Sequence, residues 1–152
     1  MDRQTPQLLP PVRMFSQQIS STRRGARLAR LLTLTELHFW GAPPDITERA
    51  EQVVAELAAN AVLHGGLPGR DFRLALTLDE RAGTLRVDVT DARGDRQPAV
   101  TGPDGTDGGR GLPLVAALTD GWGVTPYPPS GKTVWALLTA EPPSPARRRC
   151  RT

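Results

Sequence analysis

The sequence predicts an α+β fold, a two-layer sandwich with helices on one face of a mostly antiparallel mixed sheet. Apolar residues recur at helical spacing through two early segments, whereas the later segments alternate apolar with polar residues across short links. Glycine and proline clusters separate them in the order helix, helix, strand, strand, loop, short helix, strand, strand. A length of 152 residues suits one domain that can bury a single core without disulfides or metals. We place that domain at residues 11–140, between a disordered tail at 1–10 and a disordered, proline- and arginine-rich tail at 141–152.

Val12 to Ile19 reads as a first strand, held between Pro10-Pro11 and Ser20-Ser21-Thr22. From Thr22 to about Phe39, Ala26, Leu28, Ala29, Leu31, Leu32, Leu34 and Leu37 form a helical stripe, and Gly41 with Pro43-Pro44 stops it. Asp45 or Thr47 can cap a second helix, which runs to Leu63 or His64 before Gly65-Gly66-Leu67-Pro68-Gly69 ends it. Phe72 to Leu78 and Thr84 to Thr90 alternate around Asp79-Glu80-Arg81-Ala82-Gly83, the pattern of an antiparallel hairpin with one buried face. Arg93 to Gly109, rich in Gly, Pro and Asp, reads as a mobile loop of the length that usually serves function. Leu112 to Leu118 makes a short helix, and Trp122 to Thr125 with Thr133 to Thr139 makes a second hairpin.

Nineteen basic against 16 acidic residues give a formal charge of +3. The pI near 10.0 resembles a nucleic-acid signature until positions are read. Four arginines crowd into the last six residues, and Arg23, Arg24, Arg27 and Arg30 open the first helix. No aromatic residues are interleaved with them as a stacking platform requires, so direct nucleic-acid binding is not expected. The one cysteine, Cys150, excludes a disulfide within the chain and suits a reducing compartment. No apolar run approaches the roughly 18 residues of a membrane helix, and the opening segment is too polar for a signal peptide. A cytoplasmic protein without membrane contact is expected.

The chemistry concentrates in Glu56-Leu57-Ala58-Ala59-Asn60-Ala61-Val62-Leu63-His64-Gly65. A carboxylate and a carboxamide four residues apart on a helix share one face. An acid that accepts a proton beside an amide oxygen that reaches Mg2+ is what a site working on a terminal phosphate needs. The alternative, a solvated helix face, sits poorly with a polar stripe set among Val53, Val54, Leu57, Ala58, Ala61 and Val62. Asp91, at a strand end, could accept a hydrogen bond from a base amino group or simply form a turn. Gly108-Gly109-Arg110-Gly111-Leu112-Pro113 could bring backbone amides, a helix N-terminus and Arg110 to an anion, or merely link a loop to a helix. Gly131-Lys132-Thr133 is not a Walker loop, because Pro126 occupies the required glycine position and a strand follows; it reads as a hairpin turn. His64 caps carbonyls or packs rather than accepting phosphate, and His38, Trp40, Trp122 and Trp135 read as core or interface.

Together these motifs resemble the GHKL ATPase superfamily, and within it the small anti-sigma factor serine/threonine kinases, over roughly residues 22 to 140. The Glu56–Gly65 stretch resembles the family's N box. Gly109-Arg110-Gly111-Leu112 resembles its second glycine box, and Gly121-Trp122-Gly123 with Gly131-Lys132-Thr133-Val134-Trp135 resembles the closing hairpin of the small members. The resemblance implies a Bergerat-type ATP-binding fold, with ATP and Mg2+ as cofactors. It implies that Asn60 holds Mg2+, that Glu56 is the catalytic base and that Asp91 binds the adenine amino group. Gly94, Gly109, Arg110, Gly111 and Leu112 would frame the lid and phosphates, and Thr133 would support the adenine end. The implied partners are a sigma factor and an anti-anti-sigma antagonist whose serine is phosphorylated; family members often form homodimers, and apolar residues of the first helix could serve.

The first glycine box departs from the family pattern Asp-x-Gly-x-Gly, since Arg93 and Asp95 stand beside Gly94 where glycines are usual. Two functions from different classes follow. The first is an ATP-dependent protein kinase acting on an antagonist, and the second is an ATP-binding interaction module without phosphoryl transfer.

Overall fold

A computed structural model describes residues 12–65, 70–92 and 111–140, with the side chains of residues 64, 65 and 111 excepted. The loop expected at 93–109, both tails, Cys150, and the site candidates Gly94, Gly109 and Arg110 lie outside the described residues, as do Arg93 and Asp95.

Strand β1 (Val12–Ser20) leads into α1 (Arg23–Trp40) and α2 (Pro44–Asn60), and a π-helical turn (Ala61–Gly65) extends α2. The hairpin β2 (Asp71–Asp79) and β3 (Thr84–Asp91) follows, then α3 (Gly111–Leu118) and the hairpin β4 (Gly121–Tyr127) and β5 (Gly131–Thr139). The five strands form one sheet in the order β1-β2-β3-β5-β4. All four pairings are antiparallel, so no parallel pair of a mixed sheet occurs among the described residues.

Local chemistry explains the boundaries. Thr22 caps α1 by accepting from the Gly25 amide at 2.9 Å, and Gly41, in the left-handed region at φ 68°, terminates it. The second helix starts differently from the sequence expectation. Pro43 is the N-cap residue and Pro44 the first helical residue, with no side-chain cap; proline is tolerated there because its missing N–H would be unpaired anyway. Asp45 instead receives Arg49 at 2.8 Å, one turn on. The π-helical turn accounts for the expected run to His64, although its last five residues leave the regular α ladder.

Strand alternation sends Phe72, Leu74, Leu76 and Leu78 of β2, Leu85, Val87 and Val89 of β3, and Val134, Ala136 and Leu138 of β5 to one face. Ala29 and Leu37 of α1, and Ile46, Ala50, Val53, Val54, Leu57 and Ala58 of α2, close the core over them. Truncating a side chain such as Phe72 to alanine there typically costs about 3–5 kcal/mol. Trp40 and Trp122 pack against this core, whereas Trp135 lies on the helix-free face under the Arg86 guanidinium, 5.1 Å from its ring, and His38 is exposed. Among the described residues no helix is long and apolar enough to cross a membrane.

Candidate functional site

The register of β3 against β5 decides which polar groups meet. The apolar face runs Leu85, Val87, Val89 on β3 and Leu138, Ala136, Val134 on β5, and one step further along each strand it reaches Asp91 and Lys132. They are direct cross-strand partners, 6 and 5 % exposed, and the Lys132 ammonium lies 3.0 Å from Oδ2 and 3.3 Å from Oδ1 of Asp91. A cation and an anion this deep require each other, because either alone would bear its full desolvation cost. The chain accommodates the pair through Gly131, where a Cβ would lie 2.4 Å from the Asp91 carbonyl oxygen.

The last turn of α2 lies over this pair. Leu57, Ala61, Val89 and Val134 supply apolar walls to a small cleft, and Asn60, Asp91 and Lys132 supply its polar atoms. The free space amounts to about 10 Å3, room for one water. The Asn60 Nδ2 is buried, and among the described residues no hydrogen-bond acceptor reaches it. Such a donor is a cost to the fold unless something in the site accepts from it. Glu56 is half-buried one turn earlier on the same helix face, but it does not line the cleft. The π-helical turn begins immediately after Asn60, and such irregularities concentrate at functional sites.

The predicted residues therefore divide. Asn60 and Asp91 are brought together, with Glu56 nearby. Thr133 is not: its hydroxyl meets that of Thr90 at 2.7 Å on the opposite face, because adjacent strand residues point to opposite sides. Lys132 takes the β5 position at the cleft instead. Leu112 is buried in the core and does not line the cleft, while Gly111 begins α3. The sequence reading missed Lys132, although continuing the Val134, Ala136, Leu138 alternation backwards would have placed a lone lysine on an apolar face. A larger cleft of about 500 Å3 opens at the same end, lined by Gln18, Arg70, Arg73, Tyr127 and Ser130 among others; among the described residues, Asp91 is the one predicted residue that borders it.

The cleft thus gathers a carboxylate, an ammonium and a carboxamide between apolar walls, a lining that offers both hydrogen-bond donors and acceptors. The chain matches the histidine kinase-like ATPase domain over residues 19–137, and it belongs to that family. It is similar to the structure of the RsbU and RsbW domains of a Mycobacterium tuberculosis protein, with a TM-score of 0.64 and 20% identity over 87% of this chain, and spans 34% of that one. It is also similar to a chain of the SiaB-SiaC complex from Pseudomonas aeruginosa, with a TM-score of 0.60 and 14% identity over 82% of this chain and 88% of that one. At these identities the likeness is one of fold. No curated protein matches the chain.

Proposed function

We propose, from membership of the histidine kinase-like ATPase family, that this chain is an ATP-binding regulator and an anti-sigma factor that phosphorylates a serine or threonine of an anti-anti-sigma antagonist. The observation that carries the reading is the buried, unpartnered Asn60 Nδ2 beside Asp91, with Glu56 one helical turn away. An orphaned donor in a polar cleft fits a ligand rich in acceptors, which a nucleotide is. The fold's likeness to RsbW-containing and SiaB-SiaC structures supports a protein partner. We assign the sigma factor, the antagonist and a homodimer as this chain's partners on the same reading, and the cytoplasm as its location.

In this proposal Asp91 accepts from the adenine amino group and the Asn60 carboxamide oxygen holds Mg2+. Asn60 would contribute one oxygen ligand to the ion. Mg2+ supplies charge neutralisation on the phosphates when bound. Glu56 orients the partner's hydroxyl and takes its proton while the hydroxyl oxygen bonds to the γ-phosphorus and ADP leaves with the bridging oxygen. Gly94, Gly109, Arg110 and the α3 start at Gly111-Leu112 would enclose the phosphates through backbone amides.

Glu56→Gln tests the kinase step. It keeps the size and polarity of the side chain but cannot take the proton, so transfer to a purified antagonist should fall by about 100-fold or more while ATP binding is spared. Normal transfer by the variant would remove the assigned role. A second reading, nucleotide-dependent partner binding without transfer, is favoured by Arg93 and Asp95 in the first glycine box. Partner binding that responds to ATP with no transfer to any antagonist would establish it.

A further inference from the structure

Lys132 is the chain's one lysine, and it is buried against the residue proposed to read the base. Resting on the nucleotide-site reading, we propose that Lys132 is a second base-reading group, whose ammonium donates to the ring nitrogen N1 beside the amino group that Asp91 accepts.

The argument begins with the edge of the base. Adenine presents a donor, the N6 amino group, next to an acceptor, N1. A carboxylate alone answers only the donor. Asp91 and Lys132 together present an acceptor and a donor about 3 Å apart, the complementary pattern. Asn60 adds its buried Nδ2 to the same cleft, a second polar group that points to a ligand.

The cleft's small volume fits the same role. With the ammonium lying across both carboxylate oxygens, only about one water's space remains, so a ring cannot enter beside it. The lysine side chain ends in a compact charge on a flexible four-carbon stem, which can swing aside without breaking the fold. A base that gives Asp91 its amino protons and Lys132 its ring nitrogen offers each ion a hydrogen bond in exchange for the contact it displaces. An apolar ring, or a base with nothing but donors on this edge, offers the ammonium no such exchange.

The test compares ATP with 1-deaza-ATP, in which N1 is replaced by C–H, by titration calorimetry with Mg2+ on the wild-type chain. The proposal predicts that 1-deaza-ATP binds about tenfold to 100-fold more weakly, the range expected for losing one charge-assisted hydrogen bond. Lys132→Met should weaken ATP binding and abolish the difference between the two nucleotides, with its fold checked by circular dichroism. Equal affinity of the wild type for both would overturn the role of Lys132 while leaving the nucleotide site intact. Failure of the wild type to bind either would overturn both, and the wild-type comparison stands whether or not the variant folds.

Discussion

The two ends of α2 are built to opposite rules. At the N-terminal end, Arg49 bonds to Asp45 at 2.8 Å, to the Leu118 carbonyl at 3.0 Å and to the Thr139 carbonyl at 2.8 Å. Asp120 in turn accepts from the Thr139 amide at 2.7 Å. One guanidinium thereby fastens α2 to the end of α3 and the end of β5, satisfying carbonyls that a helix terminus and a strand end would otherwise leave open. At the C-terminal end, Asn60 buries an unpartnered donor, the helix loosens into a π-helical turn, and two opposite charges sit in the core. The first end is tied to its neighbours by the chain's own groups. The second keeps polar capacity that the fold does not use, which is how a binding site differs from a structural joint.

The largest effect is expected from breaking the buried pair. Lys132→Met removes the ammonium 3.0 Å from the Asp91 carboxylate and should lower the unfolding free energy by about 3–5 kcal/mol in urea denaturation. The double variant with Asp91→Leu should recover most of the loss, since two apolar groups can replace a buried pair at little cost. A single variant as stable as the wild type would mean that water reaches the carboxylate and that this end is less dry than its 6 % exposure implies.

Next comes the N-terminal end. Arg49→Ala removes four hydrogen bonds and leaves two carbonyls to find water, so we expect a loss of about 2 kcal/mol by the same measurement. ATP affinity should not change, because Arg49 lies more than two helical turns from Asn60. A variant that lost binding without losing stability would erase the contrast between the ends.

The smallest stability effect has the opposite sign. Asn60→Ala removes the orphaned donor and should leave stability unchanged or raise it by about 1 kcal/mol. A substantial destabilisation would show that Asn60 is a structural residue and not a reserved one.

The sequence made much of this legible, for reasons that differ by element. Strand alternation in Phe72 to Leu78 and Thr84 to Thr90 is a local signal, and the hairpin follows it into register. The four-residue spacing of Glu56 and Asn60 likewise fixes their common helix face without any tertiary knowledge. The cap of α2 was misread because Asp45 and Thr47 are good cap residues in isolation, whereas Pro43-Pro44 had already set the backbone. Arg49 was invisible because its carbonyl partners stand 69 and 90 residues away, and nothing local announces them. Resemblance alone sends Thr133 to the adenine end, whereas the register turns it to the opposite face and brings Lys132 to the cleft. That difference was readable, since a strand that alternates toward a buried face must put its lysine against a partner.

The central claim is that the open end of α2 is a nucleotide site, and a calorimetric titration of ATP with Mg2+ into the wild type and the Asn60→Ala variant tests it most directly. The account predicts micromolar binding by the wild type and a loss of at least about tenfold in a variant that is equally or more stable. No binding by the wild type, or equal binding by both proteins, would contradict it.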